Sequence, residues 1–185
     1  MNFAKHLNLE GMHAPFSPSQ PSWLNYTDEV AMEVYSNKKA AALGTRLHAW
    51  AKETIDLGLK QPKTNKTICA FVNDAIGFRM STEVVLFYSS RFFGTADAIS
   101  FRNGKLRIHD LKTGKIKAKM EQLKVYAALF CLEYKIKPSE IEMELRIYQN
   151  DEVVVYIPVP EEIVTVMDTI VHFDKLFNKL ENEEG

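Results

Sequence analysis

The chain has 185 residues, 46% of them hydrophobic and 25% charged, with a formal net charge of -1. That is enough chain for one domain with a sizeable core, and the composition excludes a disordered or fibrous protein. No apolar run is long enough to span a bilayer, so no membrane association is expected.

The near-zero charge argues against a simple polyanion binder, but the charge is unevenly spread. Arg102, Lys105, Arg107, Lys112, Lys115, Lys117, Lys119 and Lys124 crowd one stretch whose only acids are Asp110 and Glu121. A charge run is most often a solvated face. This one surrounds the carboxylates that matter below. Met1–His6 lacks a following apolar stretch and reads as no signal peptide. Cys69 and Cys131 lie far apart among apolar residues, which predicts two buried free thiols in a reducing cytoplasm.

The whole chain reads as a single domain, with a loop-rich segment over 1–27 packed on it. Ala14–Ser22, with its three prolines, is turn material that Trp23 and Leu24 would anchor. From about Asp28 to Leu57 the pattern is helical, with an interruption near Gly44-Thr45; Leu47, Trp50, Ala51, Thr54 and Leu57 would share a face. Gln61–Lys66 is a polar loop. Ile68–Val72 and Thr82–Tyr88 look like short strands. Ala118–Tyr134 predicts a well-buried helix. Ile141–Gln149 and Val153–Pro158 pair as strands around Asn150-Asp151, and Pro160–Leu180 closes the chain as an amphipathic helix.

The clearest local signal is Asn103-Gly104 between two alternating runs, Gly94–Arg102 and Lys105–Lys112. A type I′ turn needs positive φ at both central residues, which Asn-Gly tolerates, so a hairpin is expected. Its register pairs Arg102 with Lys105, Phe101 with Leu106 and Ile99 with Ile108. Continued, it sets Asp97 opposite Asp110 on one face, with Lys112 two residues beyond. Opposed like charges repel and call for a cation. Lys112 is one; a divalent ion, which prefers carboxylate oxygen, is the natural second. A solvated pair at a strand end with Lys112 as its salt-bridge partner fits the same pattern. Glu83 is a further carboxylate candidate, but a loop of two or three residues at Ser89-Ser90-Arg91 decides its face.

At Asp110-Leu111-Lys112, preceded by Asp97 in Gly94-Thr95-Ala96-Asp97, the chain resembles the PD-(D/E)XK nuclease superfamily. Gln122-Leu123-Lys124-Val125-Tyr126 resembles the Gln-x-x-x-Tyr motif of its RecB-like branch. Gly44-Thr45-Arg46-Leu47-His48 resembles that branch's helical histidine motif. His13–Ser19 with Trp23-Leu24 is similar to the opening of phage-encoded members.

The resemblance implies an α/β, restriction-endonuclease-like core, with a central mixed sheet flanked by helices. It implies a deoxyribonuclease dependent on one or two magnesium or manganese ions, an exonuclease of recombination or repair. Asp97, Asp110 and Lys112 would be catalytic. His48, Asp97, Asp110 and the main-chain carbonyl of Leu111 would hold metal, with Glu83 as an additional candidate. Gln122, Tyr126, Thr113, Lys115, Lys117 and Lys119 would meet DNA. The implied partners are DNA, further copies of the chain and a recombination or single-strand-binding protein. A glutamate that the branch carries one turn after its histidine is Lys52 here. Two distant cysteines cannot hold the iron–sulfur cluster of some relatives, so no cluster is expected. A non-catalytic DNA-binding module and a structure-specific or RNA nuclease are the competing readings.

Overall fold

A computed structural model describes residues 5–9, 11 and 13–184. Most of the opening Met1–His6 stretch lies outside them. The chain divides into two compact units, Met1–Thr45 and Arg46–Gly185. In the first, Phe16 packs edge-on to Trp23 and stacks on Tyr35, and Trp23 Nε1 donates to the Ser17 carbonyl at 3.0 Å. Trp23 thus ties its own loop, and Leu24, which was expected to anchor the segment with it, is exposed.

Helix α1 runs Asp28–Asp56 without the expected break. Ala40-Ala41-Ala42 are strong helix formers, and Thr45 Oγ1 returns a hydrogen bond to the Ala41 carbonyl at 3.2 Å, so the Gly-Thr pair is absorbed. The inward face of its last turns is Ala51, Thr54 and Ile55, while Trp50 and Leu57 are exposed. That rotation turns Leu47 and His48 inward, both half-buried.

Helix α2 (Thr67–Gly77) overturns the strand expected at Ile68–Val72. A short apolar run fits a buried strand or a buried helix equally, and here Phe71, Val72 and Ala75 fall on one helical face. The sheet follows: β1 (Ser81–Ser89), β2 (Phe92–Arg102), β3 (Lys105–Leu111), β4 (Glu142–Gln149) and β5 (Glu152–Tyr156), in spatial order β1-β2-β3-β4-β5. It is mixed, because β3 and β4 are parallel and the other pairs antiparallel. The crossover from β3 to β4 carries α3 (Glu121–Tyr134). Helix α4 (Pro160–Glu184) outruns its expected end at Leu180, since no Gly or Pro interrupts the Glu- and Lys-rich tail.

Both hairpin turns have the backbone that their residues suggest. Asn103 and Gly104 have φ of 51° and 73°, and Asn150 and Asp151 have 52° and 61°. Two cores lie on opposite faces of the sheet. On one, Leu106, Ile108, Met143, Leu145 and Ile147 pack against α3 and against Ile163 and Ile170 of α4. On the other, Ala98, Leu111 and Tyr148 pack against α2 and the end of α1. The architecture is therefore α/β, a five-stranded mixed sheet flanked by helices. Among the described residues no helix is long and apolar enough to cross a membrane. Cys131 is buried and Cys69 half-buried, both as free thiols, and burial pushes the Cys131 thiol up to about 11.

Candidate active site

The β2–β3 register follows the Asn-Gly turn, from Arg102↔Lys105 to Ala98↔His109, and there it ends. β3 continues beside β4 as far as Leu111↔Tyr148, so the sheet forks at Asp97 and Asp110. The strict alternation expected of β2 fails at the fork. Ala96 and Ile99 both lie in the α3-side core while Ala98 lies in the other, so one residue of phase is lost at Asp97. The expected ladder pair Asp97↔Asp110 is not formed. Instead, Asp97 Oδ2 accepts the main-chain N–H of Leu111 at 2.8 Å, a donor that no β2 carbonyl takes.

Opposite this point β1 is distorted too. Ser90-Arg91 is a two-residue loop with an irregularity at Ser89, and the register places Glu83 between Thr82↔Ala98 and Val84↔Ala96, beside Asp97. Glu83 has φ of 50°, a left-handed conformation costly for a residue with a Cβ. The residue before it is pinned, because Thr82 Oγ1 donates to Asp56 Oδ1 at 2.6 Å.

Four elements therefore meet at the fork. His48 Nδ1 of α1 is 3.4 Å from Asp97 Oδ2, and ligand atoms of His48, Glu83 and Asp97 all lie within 4.8 Å of one another. Lys112 Nζ stands 3.1 Å from each oxygen of Asp110, but only the Oδ1 contact has hydrogen-bond geometry. Asp110 Oδ2 is buried without a hydrogen-bond partner. A buried carboxylate oxygen without a hydrogen bond is costly in a protein interior, and here only the charge of Lys112 offsets that cost. Lys112 Nζ also donates to Gln122 Oε1 at 2.8 Å, and Gln122 Nε2 donates to the Tyr126 hydroxyl at 3.1 Å. Gln122 and Tyr126 share a face of α3 as their spacing requires. The Tyr126 ring has room because residue 94 is glycine: a Cβ there would meet Tyr126 Cε1 at 2.9 Å.

The electrostatics agree with this crowding. Burial, then the charge of Asp97, raises the Asp110 carboxyl above its usual range, against the pull of Lys112. Burial and Asp97 likewise raise Glu83, with His48 and Lys52 opposing. The contact with Asp97 raises His48, although burial works the other way. Lys52 pairs with Asp56.

The structure thus gathers His48, Glu83, Asp97, Asp110, Leu111, Lys112, Gln122 and Tyr126. Thr113, Lys115, Lys117 and Lys119 are not drawn into this cluster; they are exposed on the loop that follows it. Two positioning groups escaped the sequence reading. The Tyr148 carbonyl accepts the Lys112 N–H at 2.9 Å, which sequence cannot show. Gln149 is buried at the end of β4, where Met143, Leu145 and Ile147 set an apolar period, and a glutamine in that phase was the available signal.

Comparison with family models finds no match, and neither does comparison with curated proteins or with solved structures.

Glu83 and Asp97 offer two carboxylates and His48 one imidazole within 4.8 Å of one another, a donor set that a hard divalent cation accepts; Asp110 stands outside that group, against Lys112.

Proposed function

We propose that this chain is a metal-dependent deoxyribonuclease of the PD-(D/E)XK type, with a restriction-endonuclease-like core, acting as an exonuclease in recombination or repair. The observation that carries this reading is the meeting of His48, Glu83 and Asp97 within 4.8 Å at the fork of the sheet, with the buried Asp110 carboxylate and its Lys112 partner next to them.

Asp97 and Asp110 would hold the ion, with the Leu111 carbonyl, His48 and Glu83 as further ligands. A magnesium or manganese ion bound there would polarise a phosphodiester and offset its charge. Hydrolysis adds a water oxygen to phosphorus, breaks one P–O bond and passes a proton to the leaving alkoxide. Lys112, held between Asp110 and Gln122, keeps its ammonium preorganised where negative charge develops. Gln122 and Tyr126 form the α3 side of the site and would place the DNA strand. Asp97 does double duty, since its bond to the Leu111 N–H fixes the peptide that joins Asp110 to Lys112.

The test is digestion of linear and covalently closed circular DNA with manganese or magnesium, alongside Asp110→Ala protein. Loss of the linear substrate alone, abolished by the substitution, is the expected result. Cleavage of closed circles would make the enzyme an endonuclease, and equal cleavage by a folded Asp110→Ala protein would end the nuclease reading.

A further inference from the structure

Between β3 and α3 the chain has no regular structure, yet it is firmly held. The buried carboxamide of Gln149 binds alternate main-chain groups: its Nε2 donates to the Gly114 and Ile116 carbonyls, both at 2.7 Å, and its Oε1 accepts the Ala118 N–H at 2.8 Å. Asn150 Nδ2 adds a longer bond to the Lys115 carbonyl at 3.4 Å. Helix α3 starts at Glu121, three residues after the expected Ala118, so the bonded loop reaches to the helix.

The same bonds hold the Ile116 side chain out in solvent. It is 90% exposed, more than any other large apolar residue among those described. Lys115, Lys117 and Lys119 flank it, all exposed. Among the described residues none of the three has an acidic partner, whereas Lys52, Lys66, Lys105, Lys112, Lys124 and Lys137 do. A free loop would turn its isoleucine inward and its lysines outward; this one is fixed with both outward. A ligand offering phosphates beside apolar flat faces matches that display, and nucleic acid has both. The loop begins at Thr113, next to Lys112, so a strand bound at the fork lies within its reach.

We propose that Thr113–Lys119 is a preformed nucleic-acid-contacting loop: Ile116 seats against bases, Lys115, Lys117 and Lys119 meet phosphates, and Gln149 is the positioning residue that holds the display. The choice of DNA as ligand rests on the nuclease reading above. The preformed loop lowers the ordering cost of binding.

The experiment uses the full chain with calcium in place of magnesium, and duplex DNA carrying 2-aminopurine at successive positions. Binding should raise 2-aminopurine fluorescence at one or two positions, reporting lost stacking. Ile116→Ser should abolish that rise and weaken binding about ten- to a hundredfold, with the salt dependence unchanged. The triple change of Lys115, Lys117 and Lys119 to Gln should instead lower the slope of log affinity against log salt by about two to three. Gln149→Leu should weaken binding with all four contact residues intact; should it unfold, the surface variants still decide.

An Ile116→Ser protein with wild-type affinity and fluorescence would overturn the proposal, as would binding to phosphatidylserine vesicles in preference to DNA. The outcomes separate the two readings. Variant effects on DNA binding without any cleavage in manganese uphold the loop and sink the nuclease. Cleavage with binding indifferent to residue 116 does the reverse.

Discussion

Asp97 and Leu111 are joined side chain to main chain: the Asp97 carboxylate takes the Leu111 N–H at 2.8 Å, at the point where β2 and β3 part. The first acid is therefore both a charge in the site and a strut for the peptide carrying the second acid and the lysine. Two substitutions separate these roles. Asp97→Asn keeps an acceptor for Leu111 and removes the charge, so it should fold with near-native melting temperature and lose manganese binding by calorimetry. Asp97→Ala leaves the Leu111 N–H unmet and should cost a further ~1–3 kcal/mol of stability. Equal stability of the two proteins would show that the strut is unimportant.

Lys112 should behave differently from the acids. Lys112→Ala removes a positive charge that competes for Asp110, so manganese should bind at least as tightly. Single-turnover cleavage should nonetheless fall by about 10²–10³, the usual loss for a preorganised transition-state charge. Gln122→Ala frees the Lys112 ammonium from one of its two holds and should lower turnover less. A structural salt bridge would give another pattern, in which all losses track melting temperature.

The glycine at 94 sets where Tyr126 lies. Gly94→Ala places a methyl 2.9 Å from the ring edge, so the ring must swing and carry the Gln122 contact with it. Turnover on DNA should drop several-fold, while stability changes by only about 1 kcal/mol because the ring is free to move. Adding Tyr126→Ala should recover the stability but not the turnover. Recovery of both would place Tyr126 outside the site's working parts.

His109 predicts a pH dependence of folding. It is fully buried behind Asp110, and its Nδ1 lies 3.1 Å from the Tyr148 hydroxyl, whose proton goes to Asp74 Oδ2 at 2.7 Å. The imidazole is therefore the donor to Tyr148, and its Nε2 has no partner. Burial, aided by Arg146, holds its pKa at about 3, below the ordinary 6.5. The unfolded chain takes up a proton as pH falls through 6.5 and the folded chain does not until about 3. Its contribution is thus complete above 6.5 and is lost across that window, at up to about 1.4 kcal/mol per pH unit. Urea titrations at about pH 7, 6 and 5 on wild type and His109→Gln should show a steeper loss of stability in the wild type, the difference between the two slopes being the contribution of His109. Parallel slopes would mean that the histidine titrates freely.

Much of the site was legible in local chemistry. Asn103-Gly104 dictated a type I′ turn, the turn dictated the register as far as Ala98↔His109, and the spacing of Gln122 and Tyr126 dictated one helical face. These are short-range consequences of backbone sterics and fixed periods, so sequence suffices for them. It did not suffice at Ile68–Val72, where a short apolar run carries no period that separates strand from helix, and α2 was decided by what it packs against. Nor could it foresee that Asp97 would leave its phase. A strand keeps strict alternation only while its partner stays paired, and the partner's departure toward β4 depends on contacts more than thirty residues away along the chain. The meeting of His48, Glu83 and Asp97 has the same origin. Three carboxylate and imidazole groups from α1, β1 and β2 come within 4.8 Å only because packing on both faces of the sheet outweighs their mutual repulsion and desolvation.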